Sequence, residues 1–179
     1  MNKQDSLFPA NVELVKLEEN TDIKPFESED HDLNDFLLND AKNYLKSLFA
    51  VTYIYQTKDE TVAFFCLSND NLTKDEEEKS VWNKVNRAIP NAKRRKTYPA
   101  VKIGRLAVSK KHAGLGIGRL IIGTVINMYL VNQQAGCRFV TVDAYRNATP
   151  FYEKNGFKYL TNKDEKEDTR AMYLDLKSN

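Results

Sequence analysis

Apolar and polar positions along the chain follow patterns that change from one segment to the next. The two-residue period of Val12–Leu17 predicts a strand. Apolar residues across Leu33–Leu48 recur every three or four positions behind Asp32, which predicts an amphipathic helix with Asp32 as its N-cap. Val51–Gln56 and Thr61–Ser68 then predict an antiparallel hairpin.

Residues 69–97 keep neither the two-residue period of a strand nor the helical period over a long stretch. An acidic start, apolar residues at helical spacing across Val81–Ile89, a proline and the basic run Lys93–Lys96 occur in this order. They predict an insertion with one or two helices and an exposed basic loop.

The second half of the chain predicts a buried strand at Val101–Val108, an apolar helix over Gly116–Gln133 that ends before Gly136, and a strand at Phe139–Ala144. A short helix and two strands follow at Thr149–Lys154, Phe157–Leu160 and Met172–Leu176. This order predicts a single α/β domain over residues 1–179, with an α+β mixed sheet flanked by helices.

The composition is typical of a soluble globular protein, since 41% of the 179 residues are hydrophobic and 29% are charged. Leu120–Val131, the longest apolar run, is too short to span a membrane, and the first residues show no signal-peptide pattern. Cys66, Cys137, His31 and His112 are too scattered for a disulfide framework or a metal site. We therefore expect a cytoplasmic protein without a bound metal.

The net charge of +2 conceals a strong segregation of charge. Residues 79–142 carry thirteen lysines and arginines and no acid, which leaves fourteen bases against all twenty-five acids elsewhere. A basic middle segment favours a polyanionic ligand. The alternative is that the two charge sets are solvated faces that pair across the fold.

Three glycines at alternate positions, Gly114, Gly116 and Gly118, stand where the predicted strand Val101–Val108 is followed by its helix. Glycine lets the backbone approach a ligand closely, and the N–H groups of a helix N-terminus favour a phosphate or pyrophosphate. Arg119 offers a charge-assisted contact. The spacing matches neither a dinucleotide fingerprint nor a Walker A loop, and a tight turn without a ligand is the alternative.

This loop, the strand that ends at Val142-Asp143-Ala144 and the segment Phe151–Phe157 together resemble the GNAT family of acyl-CoA N-acyltransferases. The resemblance covers about residues 10–176 and is weakest over residues 69–97. Other segments are similar to the branch that contains toxins of toxin–antitoxin pairs, which acetylate the amino group of aminoacyl-tRNA. They are Phe26, Leu33–Leu38, Ala41, Val51–Tyr55, Ala63–Ser68 and Gly104–Val108.

The resemblance implies a central sheet with a splayed pair of strands, and acetyl-CoA as the cosubstrate. Strand residues would pair with the pantetheine arm, and these are Leu106, Ala107 and Val108. Loop residues would hold the pyrophosphate, and these are Ala113, Gly114, Gly116, Gly118 and Arg119. Tyr152 would protonate the leaving thiolate, as a phenol with a pKa of about 10 is able to do. The alternative for Tyr152 is an aromatic ring packed beside Phe151 and Phe157.

Two positions depart from the family pattern. Ala113 stands where the family has Gln or Arg, so one side-chain contact to phosphate is missing. The residues that could replace this contact are Lys110, Lys111 and Arg119. Tyr145 stands where the family has Asn, and Asn147 is the nearby candidate for that cofactor contact.

We therefore expect an N-acetyltransferase that moves an acetyl group directly from acetyl-CoA to a primary amine. The expected acceptor is aminoacyl-tRNA, with Lys93, Arg94, Arg95 and Lys96 as nucleic-acid contacts. A small-molecule or protein amine as acceptor, or a catalytically silent module that binds CoA or nucleic acid, remain as alternatives. Asp143, a water or a weakly basic acceptor amine are the alternatives for the general base. The resemblance also implies a small antitoxin partner, and homodimers are common in the family.

Overall fold

A computed structural model describes Pro9, residues 11–131 and residues 136–177. Seven strands form one sheet of parallel and antiparallel neighbours in the order β1-β2-β3-β4-β5-β7-β6, so the predicted mixed sheet is confirmed. The strands are β1 (Glu13–Lys16), β2 (Val51–Gln56), β3 (Thr61–Thr73), β4 (Thr97–Val108), β5 (Phe139–Tyr145), β6 (Lys158–Tyr159) and β7 (Thr169–Asp175). The helices are α1 (His31–Asp35), α2 (Ala41–Lys46), α3 (Lys79–Asn86), α4 (Ile117–Val131) and α5 (Thr149–Lys154).

Strands β4 and β5 run parallel, and Ala100–Lys102 pair with Phe139–Thr141. Parallel neighbours require a crossover connection, which α4 supplies between these two strands. The pairs β1–β2, β2–β3, β5–β7 and β6–β7 are antiparallel. The predicted hairpin and the predicted strand–helix–strand unit are therefore both present.

The chain divides into two compact units, which we describe separately. The first contains the described residues up to Ser68 together with Ile103–Thr124. The second contains Asn69–Lys102 and the described residues from Val125 onward. Strand β3 belongs to the first unit up to Ser68 and to the second unit from Asn69, and β4 belongs to the second unit up to Lys102 and to the first unit from Ile103. The single domain over residues 1–179 stays a prediction.

Aromatic and aliphatic side chains form the core of the first unit. They are Leu17, Phe26, Phe36, Leu37, Ala41, Ile54, Phe64, Cys66 and Ala107. Phe64 on β3 contacts Phe26 and Phe36 at ring-centroid distances of 5.4 and 6.0 Å. These contacts pack the helical segment α1–α2 against the strands, and the apolar area they remove from water stabilises the unit by about 25 cal/mol per Å².

Helix α1 begins earlier than the apolar pattern indicates. Its N-cap is Asp30, whose backbone is extended and whose carboxylate accepts the N–H groups of Asp32 and Leu33. The predicted N-cap Asp32 is therefore wrong, and this residue lies in the first turn. Asp30 and Asp32 are equally good N-caps by residue type, and the extended backbone of Asp30 makes this residue the cap.

The predicted long helix is not a regular α-helix. A π-helical segment at Phe36–Asp40 separates α1 from α2, and α2 ends at Lys46. Leu48, which the periodicity places on the apolar face, is 91% exposed and has a φ of +58°. The prediction for Leu48 is wrong because the chain has left the helix before this residue.

Residues 69–97, predicted to be an insertion, contain the last part of β3, the helix α3 and the first residue of β4. Strand β3 continues to Thr73, and β4 begins at Thr97, where the N–H of Lys74 donates to the carbonyl of Lys96 at 2.7 Å. The polar residues after Ser68 have low strand propensity, so the sequence pattern ends before the strand does.

The core of the second unit contains residues from α3, from four strands and from the segment that follows α3. They are Leu72, Trp82, Val85, Ile89, Tyr98, Ala100, Phe139 and Tyr173. Trp82 on α3 stacks on Tyr98 of β4 with ring centroids 5.5 Å apart. Trp82, Val85 and Ile89 of the predicted helical run are thus buried together, although α3 ends at Asn86, before Ile89.

Helix α5 covers Thr149–Lys154 as predicted, whereas other late elements differ from their predicted bounds. The predicted end of α4 at Gln133 lies outside the described residues. Strand β6 contains only Lys158–Tyr159, and β7 begins at Thr169, three residues before the predicted Met172. Within the described ranges, every helix is too short or too polar to cross a bilayer.

Candidate active site

The glycine loop lies in the first unit, between the end of β4 and the start of α4. Lys110–His112 form a 3-10 turn, and Ala113 is extended. Gly114 and Gly116 follow with φ of +77° and +86°, a left-handed conformation that glycine adopts without the strain of a side chain. Ile117, which is 1% exposed, begins α4. The backbone path therefore favours glycine at positions 114 and 116, whereas Gly118 lies within α4.

This loop has the geometry of an anion site. The first turn of a helix has N–H groups without partners inside the helix, and they point out of its N-terminus with the positive end of the helix dipole. Residues 113–116 are exposed, and a Cβ added at Gly114 would meet no heavy atom within 4 Å. The loop thus offers backbone donors and free space to a phosphate group.

The cations next to the loop differ in their availability. Lys110 Nζ lies 2.8 Å from Glu27 Oε1, and Lys111 Nζ lies 2.9 Å from Glu60 Oε1. Both lysines proposed to replace the contact missing at Ala113 are therefore already paired with a carboxylate. Arg119 on the first turn of α4 is exposed and is the strongest remaining candidate.

Glu60 also accepts a hydrogen bond from His112, whose Nε2 lies 3.1 Å from Glu60 Oε1. Hydrogen bonds from Lys111 and then from His112 hold the pKa of the Glu60 carboxyl below its usual range. Sequence reasoning missed Glu27 and Glu60, which lie 83 and 51 residues from their lysine partners. No local pattern signals a contact over such separations.

The end of β4 alternates between the core and the opposite face of the sheet. Ala107 is 5% exposed and belongs to the core, whereas Leu106 and Val108 are half-buried. Gly104 lies close to β3, since an added Cβ would come within 3.1 Å of Cys66 Sγ. The strand proposed to bind pantetheine is therefore packed tightly on one face.

Tyr152 lies in the second unit, on α5. Its side chain is 6% exposed, and its ring centroid lies 5.0 Å from that of Phe151 and 5.2 Å from that of Phe157. Burial raises the pKa of Tyr152 well above its usual range, so the phenol keeps its proton at neutral pH. The aromatic packing holds the ring in place, and burial disfavours the charged phenolate form of Tyr152.

The other predicted residues of the second unit lie around the end of β5. Asn147 is exposed in a 3-10 turn that follows Tyr145, itself 50% exposed. Asp143 accepts from the ammonium of Lys102 on the neighbouring strand β4. The candidate base therefore already has a cationic partner.

The predicted basic run is exposed, but its members have different contacts. Arg94 donates from Nε to the carbonyl of Ile89 at 3.1 Å and from Nη2 to the carbonyl of Asn86 at 3.3 Å. The N–H of Arg95 donates to the Tyr98 hydroxyl at 2.9 Å, which orders the turn. Arg94 thus binds the carbonyl groups of Asn86, the last residue of α3, and of Ile89, while Lys93, Arg95 and Lys96 are exposed.

Metal-binding side chains are not gathered in the part of the chain that the structure describes. Within Pro9, 11–131 and 136–177, no three His, Cys, Asp or Glu residues lie close enough together to hold an ion.

A family model described as "Acetyltransferase (GNAT) domain" matches residues 54–176, more than half of the sequence. The chain therefore belongs to the GNAT acetyltransferase family, as the motifs predict. The match includes the β4–loop–α4 segment and α5 with Tyr152.

Solved structures of toxin–antitoxin acetyltransferases share the fold. AtaT complexed with acetyl-methionyl-tRNAfMet superposes with a TM-score of 0.76 at 20% identity, over 94% of this chain and 96% of that chain. An AtaT mutant toxin bound to acetyl-CoA and the C-terminus of the antitoxin AtaR gives 0.73 at 19% identity, over 94% and 95%. A mutant of KacT gives 0.74 at 20% identity, over 94% and 96%. At these identities the likeness establishes the fold.

Proposed function

We propose that this protein is an acetyl-CoA-dependent N-acetyltransferase whose acceptor is the amino group of an aminoacyl-tRNA. The observation that carries the proposal is the loop with left-handed Gly114 and Gly116 at the N-terminus of α4, in a chain of the GNAT family. An anion site built from backbone N–H groups suits the pyrophosphate of CoA.

The donor side of the site uses the end of β4 and the loop. Leu106–Val108 would offer backbone groups to the pantetheine arm, and Gly114–Gly118 would hold the pyrophosphate with Arg119. The open space above Gly114 fits the close approach of a phosphate. Asn147, exposed in its turn, is a further cofactor contact in this proposal.

The transfer itself needs an oxyanion donor and an acid. The acceptor amine forms a bond to the acetyl carbon, the C–S bond then breaks, and the sulfur leaves as a thiolate. A β4 N–H would stabilise the negative charge on the carbonyl oxygen. Tyr152 would give its proton to the thiolate, a step for which general acid catalysis is worth about 10²–10⁴-fold.

We assign no side chain as general base. Asp143 accepts a hydrogen bond from the Lys102 ammonium, so its carboxylate already has a cationic partner. The amine of an aminoacyl ester is less basic than a lysine amine, so a larger fraction is neutral near pH 7. Loss of its proton to water is then sufficient for the proposed acceptor.

The acceptor assignment is supported by charge and by the structural neighbours. Residues 79–142 contain thirteen bases and no acid, and Lys93, Arg95 and Lys96 project from an ordered turn within this segment. AtaT, one of the neighbours, was solved with acetyl-methionyl-tRNAfMet, and another AtaT structure contains the antitoxin AtaR. We propose a tRNA acceptor and a small antitoxin partner for this chain on that basis.

The decisive experiment incubates the protein with labelled acetyl-CoA and three acceptor pools: charged tRNA, the same tRNA after deacylation, and a panel of small amines and protein lysines. We expect label only with charged tRNA, and we expect it to be recovered on the amino acid after mild alkaline hydrolysis of the ester. Label on a small amine or a protein would show that the acceptor is not aminoacyl-tRNA, and the protein would still be an N-acetyltransferase. Binding of acetyl-CoA without any labelled product would contradict the catalytic proposal.

A further inference from the structure

Two carboxylates hold the basic turn that precedes the glycine loop. Glu27 accepts from Lys110 twice, through its carboxylate from Nζ and through its carbonyl from the N–H, both at 2.8 Å. Glu60 accepts from Lys111 Nζ at 2.9 and 3.1 Å and from His112 Nε2 at 3.1 Å. Both lysines of the turn Lys110–His112 are thus paired with a carboxylate.

Glu60 is itself held in place by the turn between β2 and β3. The N–H of Glu60 donates to Thr57 Oγ1 at 3.1 Å, and the N–H of Thr57 donates to the carbonyl of Glu60 at 2.9 Å. Its carboxylate is therefore presented from an ordered hairpin. An ionised carboxylate only accepts, so His112 Nε2 carries the proton in their hydrogen bond.

The hydrogen bond between Glu60 and His112 lies directly before the loop, since Ala113 follows His112 in the chain. His112 is 9% exposed, and its backbone N–H donates to the carbonyl of Ser109 at 2.9 Å. Ser109 in turn donates its N–H to the carbonyl of Val62 on β3 at 2.9 Å. On the other side of the loop, Ile117 is buried. Residues 113–116 therefore connect two anchored positions, His112 and Ile117.

We propose that Glu60 is a positioning residue for the anion-binding loop, acting through His112 and Lys111. Its carboxylate fixes the entry into residues 113–116 and keeps the Lys111 ammonium away from the ligand. A diphosphate is then bound by directional backbone N–H groups. This inference rests on the proposed function for one point, that the diphosphate belongs to CoA.

The two ways in which Glu60 could act predict opposite results. If Glu60 positions the loop, its loss misplaces the N–H groups and weakens binding. If Glu60 acts by charge alone, its loss frees Lys111 beside the loop and tightens the binding of an anion. Salt screens the second effect strongly and the first much less. Measurements at high salt therefore isolate the positioning effect.

The test compares CoA binding by calorimetry for the full-length wild type, Glu60→Gln and Glu60→Asp. Glu60→Gln keeps the shape and removes the charge, whereas Glu60→Asp keeps the charge and shortens the reach by one methylene. At 0.3 M salt we expect Kd to rise about tenfold in both variants, equivalent to about 1.4 kcal/mol. We also expect KM for acetyl-CoA to rise far more than kcat falls. The matched control is Glu76→Gln, which breaks an exposed pair with Lys74 in the second unit.

Binding equal to the wild type in both variants at 0.3 M salt would overturn the positioning role. So would tighter binding in Glu60→Gln with unchanged binding in Glu60→Asp, since charge alone explains that pair of results. If Glu60→Gln does not fold, as judged by its thermal transition, Glu60→Asp still decides the question. Absence of CoA binding by the wild type would overturn the proposed function together with this inference, and is thereby distinguished from a failure of the positioning role alone.

Discussion

The guanidinium of Arg105 lies 3.9 Å from the centroid of the Phe36 ring. Arg105 stands directly before Leu106 on β4, and Phe36 is the first residue of the π-helical segment between α1 and α2. Tyr44 on α2 adds a second ring at 5.3 Å. This contact ties the helical segment to the strand that we propose pairs with pantetheine.

We predict that Arg105→Ala lowers the free energy of unfolding by about 1–2 kcal/mol, because a partly desolvated cation over an aromatic ring contributes about this much. Urea denaturation measures the change. Arg95→Ala, which removes an exposed arginine, is the control and should lie close to the wild type. Equal losses in the two variants would show that the ring contact is not the source of the effect.

Gly114→Ala should weaken CoA binding at least tenfold. Its φ of +77° costs an L-residue about 1–2 kcal/mol, and relief of this strain moves the loop N–H groups. Gly123→Ala is the matched control, because Gly123 lies within α4 and an added Cβ there meets no heavy atom within 4 Å. The control should gain about 0.5–1 kcal/mol of stability, through helix propensity, and bind CoA normally. Calorimetric Kd values for both variants check the prediction, and normal binding by Gly114→Ala would contradict it.

Tyr152→Phe should reduce kcat about 10²–10³-fold and leave the Kd for CoA unchanged. Burial raises the pKa of Tyr152, and an acid is active below its pKa, so the wild type should not lose kcat between pH 7 and about pH 9.5 through this group. A pH–rate profile measures the second point. Tyr159→Phe, at a half-buried tyrosine outside α5, is the control. Full activity in Tyr152→Phe would leave this tyrosine with the packing role alone.

The basic turn should separate into RNA contacts and a structural residue. Lys93→Ala with Arg95→Ala should reduce the slope of log K against log salt for tRNA binding by about 1–2, since each phosphate contact contributes about 0.7–0.9. Arg94→Ala should instead lower the thermal midpoint, because it removes the Arg94 donor from the Ile89 carbonyl and one of two donors from the Asn86 carbonyl, which also accepts the N–H of Ile89. Filter binding at several salt concentrations and a thermal melt check both results. A slope that changes as much in Arg94→Ala would assign this arginine to the RNA contacts.

Local sequence was sufficient for the element order and for much of the candidate site. The hairpin, the β4–α4–β5 crossover and the glycine loop each depend on residues close together in the chain, where periodicity and glycine spacing act directly. Two irregular features of the fold could not be predicted from local sequence. The extension of β3 to Thr73 depends on sheet pairing, and the π segment at Phe36–Asp40 lies in a run whose apolar spacing resembles an ordinary helix.

The sequence by itself determined the family, the glycine loop and the segregation of charge, because these are properties of residue type and order. The tertiary structure decided which of those charges are available to a ligand. Glu27 and Glu60, 83 and 51 residues from their partners, neutralise Lys110 and Lys111 beside the loop. A contact between such distant residues exists only once the chain has folded, so its effect on the loop could not be read from residue order.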